Sequence, residues 1–216
     1  MNMSGAARNA LRAGTVLVVF AIAGTAMLAF THGRTEPVIT RSRQAEQLAF
    51  IEQVLPARLY DNDLLASERR VPGDAMLGTR RPSSVWVARR GDAFAGVVLE
   101  AVAPDGYSGD IGLLVGIDAA GTVTGVRVTG HRETPGLGDY IDRAKSPWIE
   151  QFAGKSLDDP APRGWRVAKD GGVFDTRAGA TITPRAVVKA VRGALEYFAR
   201  HRKALAVPVP REEKDA

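Results

Sequence analysis

An uninterrupted apolar segment near the N-terminus constrains this chain more than any other feature of its sequence. No charged residue lies between Arg12 and Arg34, and residues 13–33 read AGTVLVVFAIAGTAMLAFTHG. A helix needs about 20 consecutive apolar residues to cross the hydrocarbon core of a bilayer. We therefore predict an N-terminal segment over residues 1–12 and a transmembrane helix over residues 13–33.

A cleaved signal peptide is the competing interpretation of this segment. Residues 21–23, Ala-Ile-Ala, have the small-x-small pattern of a cleavage site, but the apolar run continues to Phe30. This continuation favours a retained membrane anchor. The arginines on the two flanks nearly balance, so charge alone leaves the orientation of the following domain open.

The absence of cysteine limits the chemistry that the 216-residue chain can perform. Without thiols there are no disulfides, no thiolate-held iron–sulfur clusters and no thiolate zinc sites, and the three histidines lie far apart. Electrons, if the protein carries them, must therefore reside on an organic cofactor. The net charge of +5 comes from scattered basic residues, so we predict no nucleic-acid binding, no metal site and a protein that lies near anionic lipid.

The rest of the chain predicts one α+β domain over residues 34–206. A helix is expected over residues 38–55, followed by a polar loop that extends to Ser84. Val-rich segments then indicate strands at 85–88, 95–102, 111–117 and 122–129, the last two forming a β-hairpin. The final helix is predicted over residues 184–203, amphipathic and capped by Thr183, and residues 207–216 are expected to be a disordered tail.

One candidate site lies directly before the last helix. Residues 175–181 read DTRAGAT and place the hydroxyl of Thr181 on a turn of small residues, where Gly179 and Ala180 leave room for a bulky group. The start of a helix favours a phosphate, and Arg177 and Arg185 lie close in sequence. A plain helix-capping turn remains the alternative interpretation on these grounds alone.

A second candidate site is the segment HRETPGLGD, residues 131–139, which follows a predicted strand. Its proline and glycines define a tight loop that a flat ligand can approach closely. Hydrogen bonds to such a ligand are available from His131, Glu133 and Thr134 and from the backbone around Gly136. An ordinary connecting loop is again the alternative.

With these segments in view, the sequence resembles the RnfG family of the Rnf electron-transport complex, also called RsxG, and more distantly the NqrC family of the sodium-pumping NADH:quinone reductase. The flavin-attachment motif of the RnfG family, D-x-x-[S/T]-G-A-T, corresponds to Asp175, Gly179, Ala180 and Thr181, with Ala178 in place of the usual Ser or Thr. The anchor, Asp61-Asn62-Asp63, the segment 106–111 and HRETPGLGD also match, so the resemblance extends from about residue 10 to residue 200.

The resemblance implies an electron-carrying subunit of an ion-translocating complex that links ferredoxin and NAD. Thr181 would carry one FMN through a phosphoester, attached from FAD by a magnesium-dependent flavin transferase. The partners would be the other Rnf subunits, and the main domain would lie on the periplasmic side of a bacterial inner membrane, with residues 1–12 in the cytoplasm.

Two other functions are compatible with parts of the sequence. A membrane-anchored binding or assembly protein without covalent flavin would use the Thr181 turn only as a helix cap. A stand-alone flavin reductase would need a dinucleotide-binding fingerprint, and no G-x-G-x-x-G motif is present. We therefore expect neither catalytic residues nor independent catalytic activity.

Overall fold

The computed structural model describes residues 5–207, except for the side chains of residues 6–8, 10, 11, 37–41 and 43. The chain divides into two units, one up to Gln47 and one from Leu48 onward. The first long helix, α1, comprises Gly5–Glu52. The predicted anchor and the helix expected from residue 38 are therefore one continuous element, even though Pro37 is normally unfavourable inside a helix.

Within α1, residues Arg12–Glu36 meet the length and composition criteria for a membrane span. Their most apolar window has a mean hydropathy of 2.2, and none of it is buried within the part of the chain that the structure describes. Large apolar side chains such as Phe20 and Leu28 are each 73% exposed. Such a surface is costly in water, and by length and composition this helix could cross a membrane where the sequence predicts a span over residues 13–33.

The second unit is built on an antiparallel five-stranded sheet in the order β1-β2-β3-β4-β5. Its strands are β1 (Arg69–Val71), β2 (Ser83–Arg90), β3 (Ala93–Ala103), β4 (Ile111–Asp118) and β5 (Val123–Gly130). The predicted hairpin is confirmed, because β4 and β5 pair antiparallel. Strand β1 lies in the stretch predicted as loop; it is short and polar, so it carries no alternating apolar pattern.

The two faces of the sheet are covered differently because successive strand residues point to opposite sides. Helix α2 (Ile182–Ala206) packs against the face that contains Val87, Val97 and Leu99. The opposite face contains Trp86, Val98 and Leu114. It is covered by Ile51 in the last turn of α1 and by Val54 and Leu55, which directly follow the helix. The protein is therefore α+β, as predicted from its sequence.

Helix α2 begins earlier than predicted. It starts at Ile182 with Thr181 at the N-cap position, whereas the sequence suggested Thr183 as the cap and Pro184 as the first helical residue. Thr183 is instead buried inside the first turn. The helix ends at Ala206, three residues beyond the predicted end. The predicted disordered tail falls almost entirely on residues 208–216, which lie outside the described residues.

The segment between β5 and α2 contains no long element but forms four short 3₁₀ helices at Asp139–Ile141, Pro147–Phe152, Pro162–Gly164 and Ala168–Asp170. Five of its aromatic side chains pack together. Trp148 and Phe152 meet edge to face with 5.5 Å between ring centroids, and Phe152 stacks on Phe174 at 4.7 Å. This aromatic cluster, completed by Tyr140 and Trp165, supports the chain that leads to Thr181.

Candidate flavin site

Two tight turns of similar geometry form the candidate site. In the first, the Leu137 N–H donates to the Thr134 carbonyl at 3.1 Å, and Gly136 has φ +76°. In the second, the Ala180 N–H donates to the Arg177 carbonyl at 3.2 Å, and Gly179 has φ +82°. Glycine with positive φ at the third position is the pattern of a type II turn, which L side chains adopt poorly.

The two turns lie against each other although they are more than 40 residues apart in sequence. A Cβ on Gly179 would lie 3.6 Å from Cδ1 of Leu137. Together with neighbouring residues they enclose a cavity of about 120 Å³ that is lined by Tyr107, Glu133, Thr134, Leu137, Gly138, Gly179, Ala180, Ile182 and Thr183. The structure thus joins the two segments that the sequence identified separately.

The cavity is small, and its mouth is apolar. Pockets that enclose a drug-sized ligand measure about 300–1,000 Å³, so this one accommodates only part of a large cofactor. Tyr107 is 67% exposed, Leu137 43% and Ile182 46%. A flat aromatic group seated here would contact these three side chains and remain partly open to solvent.

The two threonines at the start of α2 differ in accessibility. Thr183 is 2% exposed, and its hydroxyl donates to Oε2 of Glu133. Thr181 is half-buried, and within residues 5–207 its side chain forms no helix-capping hydrogen bond. Of the two hydroxyls, that of Thr183 is thus engaged by another side chain, whereas that of Thr181 is not engaged in capping within the described residues.

Glu133 is a buried carboxylate that connects three segments of the site. It is 4% exposed, its Oε1 accepts the Ser108 N–H at 2.9 Å, and its Oε2 accepts the Thr183 hydroxyl. Its own N–H donates to Nδ1 of His131 at 3.1 Å, so Nδ1 carries no proton in this arrangement. Both oxygens have partners, as a buried charge requires.

The chain before Thr181 is held by side chains of the aromatic cluster. The Trp148 indole Nε1–H donates to the Asp175 carbonyl at 2.7 Å, and the Asp175 N–H donates to Oε1 of Gln151 at 3.0 Å. The Tyr140 hydroxyl donates to the Ala180 carbonyl at 3.2 Å. Burial raises the pKa of Tyr140, so the hydroxyl remains protonated and able to donate at neutral pH.

Both arginines that the sequence suggested for a phosphate are engaged elsewhere. The Arg177 guanidinium lies over the Tyr140 ring, 4.7 Å from its centroid, and donates to the Ser146 hydroxyl at 3.2 Å. Arg185 forms a bidentate ion pair with Asp170 at 2.5 and 2.6 Å, and this hydrogen bonding lowers the pKa of Asp170. With both arginines engaged, an anion at this site would be stabilised by the positive N-terminal end of the α2 dipole, next to the N-cap residue Thr181.

The predicted site residues fall into two groups. Glu133, Thr134, Gly179 and Ala180 line the cavity; His131, Gly136, Asp175 and Thr181 do not. Thr181 directly follows a lining residue, Gly136 shapes the first turn, and His131 fixes the backbone of Glu133. Asp175 contributes its backbone groups to the support of the second turn.

Among the other lining residues, Leu137 and Gly138 lie within the second candidate segment, and Thr183 was predicted as a helix cap, whereas Tyr107 and Ile182 were not identified from the sequence as site residues. Nor were Tyr140, which holds the second turn, and Trp148, which holds Asp175 just before it. Their only signal in the sequence is aromatic or apolar character, which is equally typical of a hydrophobic core. Tyr140 and Trp148 come to lie at the site only because the segment between β5 and α2 packs against the residues that precede Thr181.

Comparison with known proteins agrees with this geometry. Residues 106–196 match the FMN-binding domain family, and this range contains both turns and the cavity. Residues 1–54 match the RnfG N-terminal region. The fold and site therefore define a protein with an N-terminal apolar helix and an FMN-binding domain.

Curated relatives identify the family. The G subunit of the ion-translocating oxidoreductase complex of Pseudomonas aeruginosa is 47% identical over 93% of this chain and 94% of its own length. The proteins of the same name from Aliivibrio fischeri and Cereibacter sphaeroides are 42% and 47% identical, over 90% and 93% of this chain and 92% and 89% of their own lengths. The chain belongs to the RnfG family, the G subunits of ion-translocating oxidoreductase complexes.

Proposed function

We propose that this chain carries electrons as a subunit of a membrane-bound, ion-translocating oxidoreductase complex of the Rnf type, with one FMN joined through its phosphate to Oγ1 of Thr181. The observation that carries the proposal is the difference between the two threonines. The Thr181 side chain is only half-buried and makes no helix-capping hydrogen bond within residues 5–207, whereas the Thr183 hydroxyl is buried against Glu133.

Electrostatics at the start of α2 favour a phosphate on Thr181. The first N–H groups of a helix have no partners inside it and carry about half a positive charge. Pro184 has no N–H, so these donors are Ile182 and Thr183. Because Arg185 is paired with Asp170, the helix end supplies the stabilisation of the phosphoester without an arginine clamp.

The cavity next to Thr181 explains the value of a covalent bond. A volume of about 120 Å³ holds only part of an isoalloxazine ring, so non-covalent contacts alone would retain FMN weakly. A phosphoester prevents loss of the cofactor and leaves the ring accessible to an electron donor and acceptor. The flavin supplies the redox chemistry, and the protein positions it and excludes water from one side.

Attachment requires an accessible hydroxyl on an exposed turn, which residues 177–181 provide. A magnesium-dependent flavin transferase would use FAD as donor: the bond between Thr181 Oγ1 and the FMN phosphorus forms, the pyrophosphate bond of FAD breaks, and AMP leaves. Deprotonation of the hydroxyl belongs to the transferase, because Glu133, the buried carboxylate of the site, is bonded to Thr183.

In the complex, the other Rnf subunits would supply and accept electrons between ferredoxin and NAD while ions cross the membrane. The second unit would lie on the periplasmic side of a bacterial inner membrane. Since the chain contains no cysteine, a single Arg163→Cys substitution at an exposed position tests this orientation. A membrane-impermeant maleimide should label it in intact spheroplasts, and labelling only after permeabilisation would place the domain in the cytoplasm.

Thr181→Val and Thr183→Val, each co-expressed with a flavin transferase, test the attachment site. We expect the intact mass of Thr181→Val to lack FMN and its band to lose flavin fluorescence after denaturing electrophoresis, whereas Thr183→Val keeps both. Thr176→Val, half-buried in the same segment, is the matched control. FMN retained on Thr181→Val would contradict the proposed site, and a wild-type chain without covalent flavin would favour a binding or assembly protein.

A further inference from the structure

Within residues 5–207, part of the sheet face opposite α2 is uncovered and forms a groove. The last turn of α1 and the residues directly after it cover Trp86, Val98 and Leu114 on this face. Further along the same strands, the face is uncovered and forms a groove of about 830 Å³. We call it the arginine groove, after three of its lining residues, Arg70, Arg80 and Arg81; Glu100 and Asp110 also line it.

The three arginines have no carboxylate partner among residues 5–207. The Arg70 guanidinium donates to the Ser84 hydroxyl at 2.9 Å, which leaves further N–H groups free, and Arg80 and Arg81 are exposed. The nearby carboxylate of Glu100 is occupied in part, because its Oε2 accepts the Ser84 N–H at 2.9 Å. The guanidinium groups thus remain available for an external carboxylate, whose geometry they match.

The loop that carries Arg80 and Arg81 is held in place at both ends. The Val102 N–H donates to the Leu77 carbonyl at 2.8 Å, and the Ser83 hydroxyl donates to that of Thr79 at 2.9 Å. Gly78 packs so closely on β3 that a Cβ there would lie 2.0 Å from the Val102 oxygen. A fixed loop loses little conformational entropy on binding, which favours recognition by these arginines.

The arginine groove shares a wall with the flavin site. Pro104 and Asp110 line the groove, whereas Tyr107, between them in sequence, lines the cavity beside Thr181. The seven-residue loop from Pro104 to Asp110 therefore separates the two. Any molecule seated in the groove lies next to the loop that borders the cofactor.

We propose that the arginine groove is the docking site for an acidic segment of another subunit of the complex. Docking there holds an electron-transfer partner beside the flavin, and in this respect the inference rests on the proposed function. Carboxylates of the segment pair with Arg80 and Arg81, and the interaction weakens with salt as expected for partly exposed ion pairs.

The distribution of charge favours an extended acidic segment over a small anion. A compact anion such as pyrophosphate would bring its charges close to Glu100 and Asp110 as well as to the arginines. An extended chain places its carboxylates one at a time opposite each guanidinium and turns neutral or basic groups toward Glu100 and Asp110. The open groove suits a segment of polypeptide more than an enclosed small molecule.

The test is photo-crosslinking in the purified, assembled complex. A Pro82→Cys variant of the full chain carries a benzophenone at an exposed position of the groove, and Ala161→Cys, exposed elsewhere on the chain, is the control. We expect mass spectrometry to find the Pro82→Cys crosslink on an acidic peptide of another subunit. No crosslink to protein, or one to a peptide without Asp or Glu, would overturn the proposal.

Charge reversal supplies the second measurement. Arg80→Glu/Arg81→Glu in the Pro82→Cys background should reduce the crosslink about tenfold or more, since two charge-assisted pairs are lost, while Arg163→Glu/Arg166→Glu should leave it unchanged.

Pyrophosphate should compete no better than sodium chloride at equal ionic strength; stronger competition would assign the groove to small anions. Covalent flavin is measured on the same samples. A crosslink in samples that lack flavin would support docking in the arginine groove and contradict only the proposed attachment of FMN.

Discussion

The Tyr140 hydroxyl donates a 3.2 Å hydrogen bond to the carbonyl oxygen of Ala180, the residue immediately before Thr181. The same hydroxyl accepts the Arg177 N–H at 3.4 Å, so one side chain fixes both ends of the second turn. The turn that presents Thr181 thus depends on a residue from a distant part of the chain.

Tyr140→Phe removes both hydrogen bonds but keeps the ring in the aromatic cluster. We expect a loss of about 0.5–1.5 kcal/mol for each hydrogen bond, seen as a lower thermal midpoint of the full chain in detergent. The loosened turn should also reduce the fraction of chains that carry FMN, measured by intact mass. Tyr60→Phe, which removes a long hydrogen bond to Glu52, should change neither quantity appreciably; equal effects of the two variants would deny Tyr140 a role at the turn.

Gly179→Ala should impair flavin attachment without overlapping its neighbours. The new Cβ would lie 3.6 Å from Leu137, an ordinary contact, but φ +82° costs an alanine about 1–2 kcal/mol. The turn would then relax and displace Thr181. Gly91→Ala imposes a similar cost at φ +56°, in the turn between β2 and β3, and serves as the matched control: it should lower stability while flavin content stays normal.

Glu133→Ala and Thr134→Ala should have different consequences. Glu133→Ala leaves the buried Thr183 hydroxyl without its partner, at a cost of about 1–3 kcal/mol. It also releases the Ser108 N–H to solvent and removes a buried carboxylate beside the cavity. We expect it to lower stability and to shift the flavin spectrum or potential. Thr134→Ala keeps the carbonyl that closes the first turn and should affect only the flavin. Unchanged spectra and potentials in both loaded variants would make this segment purely structural.

The segment that contains Ile51, Val54 and Leu55 should be required for the rest of the second unit to fold. A fragment of residues 35–216 keeps Ile51, Val54 and Leu55, which are completely buried on the sheet, whereas a fragment of residues 56–216 lacks them. Their burial contributes roughly 5 kcal/mol or more, a large part of the 5–15 kcal/mol of a typical domain. The longer fragment should be soluble and show a cooperative thermal transition; the shorter should aggregate. A stable shorter fragment would contradict the packing of Trp86 under these residues.

Features encoded by neighbouring residues were predicted from the sequence. The charge-free run predicted a membrane span, and the structure has a helix there of sufficient length and apolar character. Alternating valines predicted four of the five strands, and the spacing of apolar residues predicted α2. Gly136 and Gly179 were recognised as turn residues, and both adopt the positive φ that makes glycine favourable. Periodicity and turn chemistry act over a few residues, so the sequence displays them directly.

Other features depended on contacts between distant residues. That the turn at Gly136 meets the turn at Gly179 follows from the aromatic cluster, which packs residues 139–174 under the second turn. The position of Arg185 in the sequence suggested that it binds a phosphate, but its guanidinium is paired with Asp170. By turn chemistry alone, Thr181 and Thr183 both qualify as the helix cap, and the burial of Thr183 against Glu133 shows which hydroxyl is engaged inside the protein. Because the free energy of such contacts depends on which distant groups meet and exclude water, only the tertiary structure decides which hydroxyl remains free.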